Sequence, residues 1–200
     1  YCWSNHLTEV GNDGQLRPEL AESYEASADA ATWTFKLRKG VEFHNGKTMD
    51  ADDVIASFNH HRGEDTKSAA KGLLTSVKDI RKADKNTVVF ELDSGSADWP
   101  FIVSDYHLPI YPNKDGKMDW QSQAGTGGYI IENYEPGVRF IAKKNPNYWK
   151  EGRAHFDSIE NISIVDTTAR QNAAMNGDVD SIGRVDPNTV HLLARVDTLN

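Results

Sequence analysis

Seven histidines, at positions 6, 44, 60, 61, 107, 155 and 191, are the groups best suited to hold a metal or move a proton near neutral pH. Their spacing supports neither use. None forms H-x-x-x-H or H-E-x-x-H, the arrangements that put two imidazoles on one helical face. His60 and His61 are adjacent and would point about 100° apart on a helix. Cys2 is the sole cysteine, so no intrachain disulfide and no cysteine-based zinc cluster can form. Asp50, Asp52 and Asp53 do not supply alternating oxygens through a calcium loop ending in Glu. They suit a helix N-terminus, where carboxylates complement the macrodipole. "GDVDS" at 177 to 181 likewise lacks the further ligands of a calcium loop and reads as a helix exit. "GTGGY" at 125 to 129 lacks the Lys and Ser/Thr of a phosphate loop, which leaves its glycines to backbone geometry. No nucleophile elbow, Walker A loop or dinucleotide fingerprint occurs, and no nucleophile, base and orienter can be assembled.

The remaining chemistry is that of contact rather than reaction. Five tryptophans are present, and in "SADWPFIVSDYHLPIYP" Trp99, Phe101, Tyr106, His107 and Tyr111 crowd a proline-punctuated stretch. Amphipathic aromatics on irregular backbone suit a small-molecule or peptide pocket, and equally the plugging of a small sheet.

The elements that position these groups show in the periodicity. "TWTFKL" alternates Trp33, Phe35 and Leu37 against Thr32, Thr34 and Lys36, which predicts a half-buried strand. Gly40 and the Asn45-Gly46 pair predict a tight turn with positive φ. Asp50 then caps a helix running to Arg62, with Val54, Ile55 and Phe58 as its apolar stripe. "SVKDIRKAD" and "KNTVVFEL" form a hairpin around Asp84 to Asn86, and "YIIENYEPGVRFIAKK" another around Pro136-Gly137. "ENISIV" is a further strand. A helix capped near Asp166 or Thr167 ends at Gly177. Residues 62 to 72 and 112 to 128 are polar, glycine-bearing loops. The class is α/β, mixed, with largely antiparallel sheets beside helices.

Composition bounds the partners. Thirty acids against 22 bases give a formal charge of −8, which argues against nucleic acid. No apolar run of the length that crosses a membrane occurs, and no basic n-region followed by an apolar h-region is seen in the 200 residues. Cys2 is either a lipid-bearing residue of a bacterial lipoprotein or a small half-buried side chain.

Four blocks in register, "LRPELAESYEAS", "TWTFKLRKGVEFHNGKTMDADDVIASF", "GTGGYIIENYEPGVRFIAKKNPNYW" and "IENISIVDTTARQNAAMNGDVDSI", resemble the extracytoplasmic solute-binding proteins of family 5. These serve ABC importers for dipeptides, oligopeptides and nickel chelates. The resemblance implies a partial lobe I of a type II periplasmic-binding-protein fold over residues 1 to 200, with a smaller β-rich subdomain near 45 to 160. Lobe II and the C-terminal return segment lie outside it. It implies a non-enzymatic protein without cofactors, periplasmic or anchored outside the cytoplasm as a lipoprotein. Its partners would be a peptide or other small solute and an ABC permease in the inner membrane. The same-family alternative is a binding or sensor protein for a metal chelate, opine or sugar. Gly128 departs from the family's "GTGPY", which loosens φ there. The implied cleft-facing groups are Trp3, Ser4 and Asn5, Ser68 and Lys71, Tyr106 and His107, and Arg184. Arg184 or Lys71 would meet a carboxylate, while Trp3 and Tyr106 would stack.

Overall fold

The structure, a computed structural model, describes residues 2–193. In chain order its elements are β1 (Thr8–Val10), β2 (Leu16–Pro18), β3 (Ala21–Ala26), β4 (Thr32–Leu37), α1 (Ala51–His60), β5 (Val77–Asp84), β6 (Thr87–Leu92) and α2 (Trp99–Ile102). They continue with β7 (Asn113–Lys114), β8 (Lys117–Met118), β9 (Tyr129–Glu135), β10 (Arg139–Lys144), β11 (Ser158–Ile162), α3 (Thr167–Asn176) and α4 (Val190–Leu193). Short 3-10 helices occupy Ala69–Leu74 and Trp120–Ser122.

An antiparallel sheet in the order β3-β4-β6-β5 carries the core. The alternation of β4 places Trp33, Phe35 and Leu37 inward, all buried. Phe35 stands opposite Val88, and its ring meets Phe90 edge-on at 5.4 Å. Phe58 of α1 meets the same Phe90 ring at 4.9 Å, so the helix stripe covers this face of the sheet. Asp50 caps α1 through a capping box with Asp53, as the acid cluster predicts. The helix stops at His60 rather than Arg62, because the Arg62 guanidinium turns away to the Val77 and Lys78 carbonyls.

The β5–β6 hairpin closes through Lys85 and Asn86, with the Asp84 carboxylate receiving the Asn86 N–H at 2.7 Å. Asn45-Gly46 turns with Gly46 at φ 83°. Three features depart from the sequence reading. The β1–β2 hairpin carries no strong pattern, its strands being three residues each. Residues 62 to 72 and 112 to 128 are not loops throughout: Ser68 caps a 3-10 turn, and β7–β8 closes around Asp115 and Gly116, both left-handed. The strand expected at "ENISIV" lies earlier, at Ser158–Ile162, because the Ile164 and Val165 carbonyls turn out to receive the Arg170 guanidinium.

The chain divides into two compact units. One comprises residues up to 132 with 142–159, and it holds the hydrophobic core cluster from Leu7 to Ile110. The other comprises residues 133–141 with those from 160 onward. Within it, the Asp166 carboxylate receives the Ala169 N–H at 2.7 Å and Gly177 closes α3 at φ 76°, as the sequence predicts. Three strands are ordered β11-β10-β9. Residues 194–200 lie outside the described residues.

Candidate functional site

The segment from Cys2 to Asn5 runs through the first unit outside any strand, with a bend at Trp3. The Cys2 carbonyl receives the Tyr129 N–H at 3.0 Å, the Trp3 carbonyl the Gly127 N–H at 3.2 Å, and the Asn5 carbonyl the Ile110 N–H at 3.0 Å. The glycines of "GTGGY" make this approach possible. A Cβ on Gly125 would lie 1.8 Å from the Trp3 carbonyl oxygen, and one on Gly127 2.5 Å from that of Cys2. Gly128 is not among the positive-φ glycines, but a Cβ there would stand 2.9 Å from that of Ala154.

Trp3 is half-buried and donates its indole N–H to the Tyr111 hydroxyl at 3.1 Å. Ser4 and Asn5, which the resemblance has facing a cleft, are buried, 6% and 3% exposed. Asn5 is a hub. Its amide donates to Glu19 at 2.7 Å and to the Tyr148 hydroxyl at 3.3 Å, while its carbonyl oxygen receives Thr126 at 3.1 Å and the Trp149 indole at 3.3 Å. Each hydrogen-bonding position of a buried side chain amide is thus used.

Ser68 and Lys71 flank the end of α1. The Ser68 hydroxyl lies 2.6 Å from His61 Nδ1, and Lys71 donates to the Glu64 carbonyl at 2.8 Å. His61 is buried, and its Nε2 has no partner among the described residues. Burial, then the charges of His60 and His107, depress its pKa to about 4, so the ring is neutral at pH 7. Tyr106 is 62% exposed and lies over the His107 ring at 3.8 Å. His107 Nδ1 is 2.8 Å from the Asp105 carboxylate, which orients the ring. Arg184 belongs to the second unit, where it is exposed with φ 57° and its carbonyl receives Arg170 at 3.4 Å. The other seven predicted residues belong to the first.

The sequence reading misses the charged side chains around Asn5. Glu19 is 5% exposed and also receives the His6 N–H at 3.1 Å; burial pushes its carboxyl pKa up, against the pull of His6, Lys150 and Asn5. Lys150 bridges Glu9 at 2.5 Å and Glu19 at 3.7 Å. Glu19 sits between Pro18 and Leu20 in a stretch with no periodic signal, which is why its burial is not legible. Among the described residues no group of three or more His, Cys, Asp or Glu could hold a metal ion, and no helix is long and apolar enough to cross a membrane.

The model of the bacterial extracellular solute-binding proteins, family 5, matches residues 15–199. The di/tripeptide-binding protein 1 of Pseudomonas aeruginosa is 29% identical over 82% of this chain and 35% of its own length. The nickel-binding periplasmic protein of Escherichia coli is 29% identical over 87% of this chain and 34% of its own length. Among solved structures, the periplasmic binding protein AgaA of A. tumefaciens R10 in complex with agropinic acid superposes with a TM-score of 0.87 at 29% identity. That superposition covers 97% of this chain and 40% of AgaA. The chain thus spans about a third of the length of these curated relatives.

Proposed function

This chain belongs to the bacterial extracellular solute-binding proteins, family 5, and from that premise we propose that it contributes part of the first lobe of a protein that captures a peptide or similar small solute outside the cytoplasm. The solute is held between this lobe and a second one, by hinge closure, and is handed unchanged to an ABC permease of the inner membrane. The protein carries out no bond-breaking step. The family match over residues 15–199 carries this reading, because fold likeness alone would leave the activity open. A second reading, capture of a metal chelate, opine or sugar by a binding or sensor protein of the same family, draws on the His107 ring that Asp105 orients.

Native mass spectrometry of the protein isolated without denaturation tests the proposal. Release of an intact small solute on unfolding is the expected result. A covalently altered solute, or turnover of added solute, would overturn it.

A further inference from the structure

The first unit contains a cavity of about 490 Å³ lined by the β1–β2 turn, the Gly128–Tyr129 backbone, Asn5 and the loop carrying Tyr148 to Ala154. Its carboxylates are already engaged. Asp13 holds Arg17 at 2.6 Å, Glu9 holds Lys150 at 2.5 Å, and Glu19 receives Asn5 and the His6 N–H. What remains uncommitted on the walls is donor capacity. Arg153, exposed at the cavity's edge, has no ion pair or hydrogen bond to any described residue. Tyr148 accepts from Asn5, and its own hydroxyl proton has no acceptor among the described residues. Burial raises the pKa of that hydroxyl, so it keeps the proton; the Arg153 charge pulls the other way, which places the guanidinium within electrostatic reach of it.

The backbone holds Arg153 in a defined place. Gly152 at φ 67° and Ala154 at φ 56° flank it, both left-handed, and a non-glycine residue persists there only where its surroundings fix it. The Ala154 methyl has room because Gly128 opposite it has no side chain.

We propose that this cavity binds a small organic monocarboxylate, whose oxygens accept hydrogen bonds from the Arg153 guanidinium and the Tyr148 hydroxyl. A guanidinium fork matches a carboxylate in two parallel hydrogen bonds, and a neutral solute would leave that cation unused. A phosphate dianion fits less well, since Glu9, Asp13 and Glu19 line the same walls and repel the second charge. The site stands on the first unit alone and does not depend on the solute-capture reading.

The test is a titration of the ¹⁵N-labelled protein with N-acetylglycine, following the backbone amides of the Tyr148 to Ala154 loop and of Gly11 to Asp13. Saturating shifts are expected, with the dissociation constant raised about tenfold in Arg153→Met and roughly threefold in Tyr148→Phe. N-acetylglycinamide, alike in shape but uncharged, should leave the loop unshifted. Arg153 is exposed, so its variant should keep the remaining spectrum, and that spectrum shows directly whether it folds. Shifts that fail to saturate across the millimolar range, equal shifts with the amide, or an unchanged constant in Arg153→Met would overturn the proposal. Inorganic phosphate binding as tightly as the acid would overturn the choice of carboxylate.

Discussion

The Asn5 side chain donates to the Glu19 carboxylate at 2.7 Å, with both residues almost wholly buried. That bond ties the segment before β1 to the link between β2 and β3, and the remaining Asn5 contacts extend the tie to Thr126, Tyr148 and Trp149. Asn5→Ala should therefore cost about 2–4 kcal/mol, since it leaves several buried polar groups without partners. Asn5→Asp should cost more at neutral pH, because it sets a second carboxylate against Glu19. Urea unfolding midpoints at constant m-value check both; a loss below roughly 0.5 kcal/mol in Asn5→Ala would contradict the hub.

Gly125→Ala should be among the most damaging single-methyl changes in the chain, because the added carbon would meet the Trp3 carbonyl oxygen at 1.8 Å, a backbone atom that cannot rotate aside. Gly137→Ala meets nothing within 4 Å and strains only a left-handed turn at φ 74°, so its cost should stay near 1 kcal/mol. Thermal melts of the two variants should separate them clearly.

This pair also shows what the sequence discloses. The period of two in "TWTFKL" and the cap at Asp50 are local signals, and β4 and α1 sit within a residue or two of where they predict. The glycines of "GTGGY" are legible as backbone geometry, yet their partner, the Trp3 carbonyl, is more than a hundred residues away in the chain. The cleft-facing expectation for Ser4 and Asn5 comes from the family resemblance; their burial follows from contacts made by distant segments and has no local signal. The burial of His61 has no local signal either, since its bond to Ser68 depends on how the chain after α1 folds back.

The buried histidine gives a pH dependence of known sign. With its folded pKa depressed to about 4 from 6.5, His61 binds its proton more readily in the unfolded chain. Its contribution to stability is therefore complete above pH 6.5 and is lost as pH falls toward 4. His6, depressed to about 4 chiefly by burial, acts in the same direction. Unfolding free energy measured from pH 7 to 4 should fall, and His61→Asn should flatten the slope by about half. An unchanged slope in that variant would contradict the assignment. Glu19, with a raised pKa, works the opposite way: its contribution is present below the unfolded pKa and fades as pH rises through the folded one.

Two neighbouring aspartates should differ sharply. Asp50→Ala removes a helix cap and should cost about 1 kcal/mol. Asp53→Ala removes a carboxylate that is wholly buried and receives Lys47, the Asp50 N–H and the Asn113 N–H, so a loss of about 2–4 kcal/mol is expected. Equal losses would show that Asp53 acts only as part of the cap.

The most direct measurement of the central claim is an equilibrium titration of the protein with a di- or tripeptide, a nickel–histidine complex and an opine, read by tryptophan fluorescence and followed by recovery of the solute. The account predicts a saturable response to one of these classes and a solute recovered chemically unchanged. A solute converted to product, or no saturable response to any of the three, would contradict it.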